Sequence, residues 1–376
     1  MICLLKNDDF TEGVYDVLIK HFNSEHLSYF VIILRIVLYL FENQDIMIDG
    51  ISIENFRSFH KTTINGFERI NLFGGKNNVG KTSLLEAFFV GLERNIIPIS
   101  RFRKQQPEST KPDEYIFFNQ NLNTPIKIKL HGMNKLFYQI EINDSYKIQT
   151  KIFDANIKEY LNGDLKPFEN IWENLKISLV VDKNIQYPKQ YILSSEFDKA
   201  DKKGDSDEIL KAIQVIEPNI VEIKTYSDDP GMIYLRDKGK KQRIPLIYYG
   251  DAIQKIMRYV ITIAAFQNEN GSSSSNTEGG KYLLIDEIEN GLHYTVQEDF
   301  WEMLFKLAIT YDIQIFAATH SREMIAAFDK TALKFDNEAA YFELFRHIKT
   351  NEIAANKIRP EVLEYKLEND KPMRGE

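Results

Sequence analysis

The sequence predicts an α/β fold, and three stretches carry that prediction. "GGKNNVGKTS" (74–83) sets a glycine-rich loop between a strand pattern and a helix pattern. "YLLIDEIENGLH" (282–293) runs four mostly apolar residues into a pair of acids, and "IQIFAATHSREMI" (313–325) runs an apolar strand into a histidine. The carboxyl ends of strands are where open α/β sheets bind their ligands.

Composition sets the outer bounds. The 376 residues, 43% hydrophobic and 27% charged, suit a soluble chain of one large or two ordinary domains. A net charge of −8 excludes a molecule that binds polyanions over its whole surface, so a nucleic-acid contact would need a local basic patch. The single cysteine, Cys3, excludes a disulfide framework and a thiolate zinc site. It fits a reducing cytosol, so a cytoplasmic location is expected.

The elements follow in order. "LSYFVIILRIVLYLF" (27–41) is apolar, but it is shorter than the roughly 20 residues that span a bilayer and carries Arg35 at its middle. It has neither a basic start nor a small-residue cleavage site. A buried or partner-facing helix in an N-terminal extension (1–46) is expected, with no membrane contact. A natural start at Met47, leaving 1–46 as an appendage, stays open. "IDGISIENF" alternates as a strand, "ERINLFGG" is a second strand ending in glycines, and "KTSLLEAFFVGLER" has helical spacing. Residues 101–245 are mixed. "TPIKIKLHG" and "KLFYQIEIN" read as paired strands, "FENIWENLKI" and "SDEILKAIQVIE" as helices, and "GMIYLRDKGKKQRIPL" as a hairpin around Lys238-Gly239. From Gly250 the pattern is a helix (252–266), the strand "KYLLID", a helix (295–309), the strand "IQIFAATH" and a further helix. "NENGSSSSNTEGG" (268–280) is a flexible loop insertion.

The chemistry begins at the glycine loop. Gly75-Lys76-Asn77-Asn78-Val79-Gly80-Lys81-Thr82 fits G-x-x-x-x-G-K-[ST], between the strand and the helix that this pattern requires. Its glycines let successive N–H groups turn inward on a phosphate, and the helix beginning at Lys81-Thr82-Ser83 adds its positive end. Lys81 would reach the β- and γ-phosphates of ATP, and the Thr82 hydroxyl would ligate Mg²⁺. Asp286 and Glu287 close a buried strand. Asp286 would hold Mg²⁺, directly or through water, and Glu287 would polarise the attacking water. His320 ends a strand expected beside that of Asp286, within reach of the γ-phosphate.

Together "GGKNNVGKTS", "LLIDEIENGLH" and "AATHS" resemble the ABC-type ATPase heads of the SMC and OLD (overcoming lysogenization defect) kind, in particular the stand-alone AAA family ATPases of bacterial defence loci. "IENFRSF" (53–59) matches the opening strand of those heads, where an arginine at the place of Arg57 contacts nucleotide phosphates. The resemblance covers about 47–376 with a divergent middle. It implies a P-loop NTPase fold, an ABC-ATPase-like head with an inserted mixed α+β middle region. The ATPase would then fall in 47–100 and 246–376, with 101–245 as the insert. It also implies a homodimer formed around ATP, in which a signature helix of one copy binds the γ-phosphate held by the other. In place of the usual Ser-x-Gly-Asp-Gly, this chain offers Tyr248-Tyr249-Gly250-Asp251, so Gly250 is the signature candidate. The serine's place is taken by Tyr248, and turnover is expected to be slow or partner-dependent. Gln120 is the candidate for the family's Mg²⁺-sensing glutamine; a plain loop glutamine remains the alternative.

Many OLD relatives add a TOPRIM nuclease, which needs a glutamate and an Asp-x-Asp pair. The residues after His320 contain no Asp-x-Asp, and Asp205-Ser206-Asp207 sits in a polar run read as a solvated loop. No built-in nuclease is expected. "RDKGKKQR" (236–243) could meet a DNA backbone, though a solvated turn is the simpler reading. The expectation is therefore an ATP-hydrolysing head whose dimerisation gates an effector, a nuclease or toxin, in phage defence or DNA maintenance. A tight ATP-binding scaffold or sensor with little turnover is the alternative. A small-molecule kinase is disfavoured, because nothing resembles a lid with acceptor-binding arginines.

Overall fold

In the computed structural model, residues 47–93, 116–132, 136–142, 148–154, 157–161, 176–181, 190–268 and 281–369 are described. All of them fall in one unit, Ile46–Glu376. Their strands sort into three sheets.

The parallel sheet holds the predicted site strands. Its order is β15 (Ile353–Ile358), β14 (Ala339–Arg346), β3 (Ile70–Gly75), β13 (Ile313–Ala318), β12 (Lys281–Asp286) and β8 (Lys176–Val181). All neighbours are parallel except β15, which runs antiparallel to β14. The strand bearing His320 does lie beside that bearing Asp286, in register from Lys281↔Ile313 to Ile285↔Ala317. A second, antiparallel sheet has the order β2 (Phe59–Asn65), β1 (Ile48–Phe56), β4 (Ile126–Gly132), β5 (Leu136–Ile142), β6 (Ile148–Asp154) and β7 (Ile157–Leu161). The third is the small sheet β11 (Ile244–Pro245), β10 (Asp229–Asp237) and β9 (Ile220–Tyr226).

Alternation along the parallel strands divides the apolar residues between two cores, because successive side chains of a strand point to opposite faces. Leu72, Leu283, Ile285, Ile313, Ile315 and Ala317 face one core. Helices α4 (Asp251–Asn268), α5 (Gln297–Thr310) and α6 (Arg322–Ala332) fill it, with Trp301 fully buried. Phe73, Tyr282, Leu284, Phe316, Phe342 and Leu344 face the other. There helix α1 (Lys81–Glu93) packs among strands of both large sheets. Phe67 meets Phe73, Phe88, Phe316 and Phe342 edge-on at 5.2–5.9 Å, while Phe88 stacks on Phe316 at 4.2 Å. Each such pair adds about 0.5–1.5 kcal/mol beyond the area it buries. This aromatic layer fixes the helix whose N-terminus opens the glycine loop.

Several elements differ from the sequence reading. β2 was not expected; "FHKTTIN" has a weak apolar pattern, and the strand exists because it pairs along β1 from Gly50↔Asn65 to Phe56↔Phe59. "FENIWENLKI", read as a helix, lies outside the described residues up to 175, and its last two residues open strand β8. There tertiary pairing with β12 outweighs local propensity. The described strands between 126 and 181 share sheets with strands outside the middle region. β4 to β7 continue the β1–β2 sheet, and β8 joins the parallel one. "DKADKKGDSDE" is not a loop: it is the end of α2 (Gln190–Lys203), a turn at Gly204, and the start of α3 (Ser206–Gln214), with Asp207 and Glu208 in the first turn. The chain beyond α6 adds β14, β15 and α7 (Pro360–Glu368), none of which the motif reading assigned. The expected N-terminal helix (1–46) and most of the serine-rich loop (269–280) lie outside the described residues. No helix among the described residues is long and apolar enough to cross a membrane.

One buried acid gives a test of the packing around α6. Asp329 is 4% exposed, and its carboxyl is pushed up to about 6, first by burial and then by the charge of Glu364. A carboxyl whose folded-state value is raised binds more protons folded than unfolded, so its contribution to stability declines as pH rises from about 4 through 6. Asp329→Asn removes that loss. The variant should be more stable than wild type at pH 7.5 by about 1–2 kcal/mol, with the gap falling to about a third of that by pH 4.5. Paired thermal melts at the two pH values check this; a gap independent of pH would refute the charged burial.

Candidate active site

The site is built outward from the end of β3. All six residues of that strand are buried, and it enters the loop through two glycines. A Cβ on Gly74 would run into Tyr341 Oη, and one on Gly75 would come within 2.6 Å of the Leu344 carbonyl. Gly75 has φ +149° and Gly80 φ +89°, both costly for a side chain. A Cβ on Gly80 would also meet Ile353 Cδ1 at 2.8 Å and Ser58 Oγ at 3.1 Å. The loop therefore runs in a slot walled by β14, β15 and the β1–β2 turn, where only backbone fits. Lys76, Asn77 and Asn78 are exposed, with Asn78 at φ 64°, while Val79 (7%) and Ser83 (8%) are buried beneath them. Helix α1 starts where Leu84 N–H bonds to Gly80 O at 2.8 Å, so its first N–H groups face the loop.

Two side chains of the loop show how it is set. Lys81 Nζ donates to the carbonyls of Gly75 (2.8 Å) and Lys76 (2.9 Å), spanning the loop. Thr82 Oγ1 donates to Asp286 Oδ2 at 2.7 Å. The hydroxyl and carboxylate that the sequence assigns to Mg²⁺ are thus already side by side. These two oxygens, with a glycine cradle that side chains would fill, suit Mg²⁺ shared with phosphate oxygens.

The turn after β12 is held from all sides. Glu287 has φ 50°, a left-handed conformation that costs a non-glycine residue about 1–3 kcal/mol. Its N–H donates to Asp286 Oδ1 (3.1 Å), and Asn290 Nδ2 donates to its Oε2 (2.7 Å). Ile288 N–H reaches Ala318 O on the next strand at 3.0 Å. Buried Lys255 of α4 donates to the carbonyls of Ile288 (3.0 Å) and Asn290 (2.6 Å) and lies 3.4 Å from that of Glu287.

His320 has a partner the sequence reading missed. Glu289, whose side chain is 9% exposed, lies 2.7 Å from His320 Nδ1. It also accepts from the His320 backbone N–H at 2.9 Å and the Thr319 hydroxyl at 2.7 Å. A carboxylate can only accept, so Nδ1 carries a proton and Nε2 is left for a ligand. Thr319 N–H in turn bonds to Phe73 O, which ties this segment to the root of the glycine loop.

The other candidates are placed as follows. Arg57 pairs with buried Glu86 of α1 at 3.2 Å, so its guanidinium lies against the helix of the loop. Gln120 is exposed, at φ 56°, on a turn (Phe118–Gln120) held to the β1–β2 hairpin by the bond from Arg57 N–H to Ile116 O. No side-chain bond joins Gln120 to Thr82 or Asp286 among the described residues. Gly250 is exposed and starts α4, its carbonyl accepting from Ile253 N–H at 3.1 Å, with open space where a Cβ would lie. Three of the five basic side chains of the hairpin are paired within it and with β9. Arg236 (2.6 Å) and Arg243 (2.9 Å) clamp Glu222, whose carboxyl their hydrogen bonds hold down to about 2, and Lys240 pairs with Asp237. The solvated-turn reading of 236–243 is the one this arrangement favours.

A glycine loop between a buried parallel strand and a helix, its threonine bonded to the acid of a strand in the same sheet, is the arrangement of a P-loop NTPase. Residues 47–214 and 99–325 match the AAA ATPase domain family, and the chain belongs to that family. It is an ATPase with an SMC-like head fold. A Helicobacter pylori protein described as an ATP/GTP phosphatase is 24% identical over 360 positions, taking in 77% of this chain and 90% of that one. Among solved structures, the SMC head domain from Thermotoga maritima matches with a TM-score of 0.50 at 12% identity, over 83% of this chain and 99% of its own. An Smc head bound to the C-terminal winged-helix domain of ScpA matches at 0.57 and 10%, over 84% and 98%. A Pyrococcus furiosus Smc head bound to the C-terminal domain of ScpA matches at 0.57 and 9%, over 86% and 99%. At such identities the structural likeness speaks for the fold.

The loop assignment has a direct test. Lys81→Ala removes the ammonium from a part-exposed loop and leaves both cores intact. Calorimetry should find most Mg-ATP affinity lost while the melting temperature without nucleotide holds. Undiminished affinity would sink the phosphate-loop role of 75–82.

Proposed function

We propose that the chain is an ABC-type head that hydrolyses ATP when two copies close around two nucleotides, and that this cycle gates an effector protein. The bond from Thr82 to Asp286 carries the reading: it joins loop and acid strand in the arrangement that Mg-ATP needs. Thr82 and Asp286 would hold Mg²⁺, which when bound neutralises phosphate charge. Lys81 would exchange its two carbonyls for β- and γ-phosphate oxygens. Glu287 would take the proton of the attacking water as its oxygen bonds to the γ-phosphorus and the bond to ADP breaks. His320, anchored through Nδ1 to Glu289, would present Nε2 to the γ-phosphate end of the site.

The closing of two copies is supported by the exposed start of α4. Gly250 and Asp251 are exposed at the N-terminal end of that helix, the end that favours the phosphate of a facing copy. That two structural neighbours are complexed with ScpA supports a protein partner for this head too. A nuclease or toxin in phage defence or DNA maintenance is the partner type that the family resemblance suggests. One observation favours the second reading, a scaffold or sensor that binds ATP and scarcely turns it over. Tyr248, 75% exposed, stands where the signature serine belongs.

Two variants separate the readings. Glu287→Gln should keep Mg-ATP binding and lose about 10²–10⁴-fold in turnover, as loss of a general base does; wild-type turnover would mean the acid roles are misassigned. In light scattering, Glu287→Gln should be a loose or monomeric species without nucleotide and a dimer with Mg-ATP. Adding Gly250→Glu puts a negative charge where a γ-phosphate must approach. It should abolish the dimer and leave binding to the single head nearly intact. A mass that ignores nucleotide moves the scaffold reading ahead.

A further inference from the structure

The mechanism above leaves one buried cation without a task. Lys255 is 5% exposed, at the start of the second turn of α4, five residues from Gly250. Burying an ammonium is costly unless its hydrogen bonds are met. Here three carbonyls of one short turn surround it: Asn290 at 2.6 Å, Ile288 at 3.0 Å and Glu287 at 3.4 Å. That turn keeps Glu287 at φ 50°. The neighbouring side chain, Gln254, reaches the opposite way and donates to the carbonyl of Tyr249 at 2.8 Å. Gly291 closes the third side, since a Cβ there would lie 3.4 Å from Asp251 Cβ. The first turn of α4 is thus wedged between the segment before Gly250 and the turn carrying the acid.

We propose that Lys255 is a positioning residue: its ammonium holds the strained 287–290 turn, sets the Glu287 carboxylate, and links that setting to the start of α4. The proposal rests on Glu287 as the group that polarises water. Displacement of α4 at Gly250 moves Lys255, and with it the backbone that aims Glu287. A misplacement of about 1 Å costs on the order of 10²-fold in rate.

The test is a substitution series read by single-turnover ATP hydrolysis and Mg-ATP affinity. Lys255→Met keeps an apolar stem without a donor; Lys255→Gln has the same reach, one atom short of lysine, and keeps amide donors. Turnover should fall about 10²-fold in Lys255→Met and less in Lys255→Gln, with Mg-ATP affinity within about threefold of wild type. A packing role alone would rank the two the other way, with Met nearer to wild type. In a Glu287→Gln background, Lys255→Met should cost little more, because groups that act as a unit are not additive. An undiminished rate in Lys255→Met, a parallel loss of ATP affinity, or a full further loss in the Glu287→Gln background overturns the proposal. If Glu287→Gln itself turns over like wild type, the acid assignment fails first and takes the proposal with it. If Lys255→Met does not fold, Lys255→Gln carries the same cycle and is judged by the same outcomes.

Discussion

The site depends on one hydrogen bond between residues 204 positions apart, Thr82 Oγ1 to Asp286 Oδ2. For it to form, β3 and β12 must lie in one parallel sheet with β13 between them, and their carboxyl ends must align. Parallel strands need crossover connections, so the helices α4, α5 and α6 follow from that requirement. The bond also demands that α1 leave the sheet at one angle. The layer of Phe67, Phe73, Phe88, Phe316 and Phe342 supplies that angle, because rings from the loop strand, its helix and two neighbouring strands interlock.

The second sheet does more than cover the parallel one. Thr62 Oγ1 bonds to Ile353 O at 2.6 Å, and buried Gln314 bonds to both the N–H and the carbonyl of Ile48. These contacts seat the β1–β2 turn beside the phosphate loop, with Ser58 and Phe59 against Gly80. Arg57 extends the same seam to α1 through Glu86. An insertion between the loop helix and the acid strand can thus vary in sequence and still be structural, since its strands finish sheets that the ATPase motifs begin.

Polar groups in the site work in nested pairs. Asp286 faces Thr82, Glu287 is held by Asn290, and Glu289 holds Thr319 and His320. Three acids within four residues sit in three settings because each meets a different donor. Backbone strain at Glu287 is maintained by the surrounding bonds, which is how a left-handed non-glycine residue persists at a functional turn.

The motifs were legible in the sequence because their chemistry is local. A loop that must curl backbone N–H groups around a phosphate needs glycines at set spacing, and the Lys and Thr must follow on the next helical turn. Strands facing two cores read as apolar runs, so "INLFGG", "KYLLID" and "IQIFAA" announced the sheet, and their order in the chain predicted that His320 would end beside Asp286. What stayed hidden rests on partners far apart in the chain and on residue types that also populate surfaces. Nothing in "DEIEN" tells which acid meets the Thr82 hydroxyl and which meets a histidine 31 residues on. Lys255 looks like any helix lysine until the fold brings three carbonyls from residues 287–290 around it. The "KISLVV" run became a strand, not a helix end, only because β12 offered an open edge. Sequence marked the candidate nucleotide-binding motifs, because each motif is local in the chain. Tertiary structure decided how those groups are aimed, because aim comes from hydrogen bonds that close only after the sheet has formed.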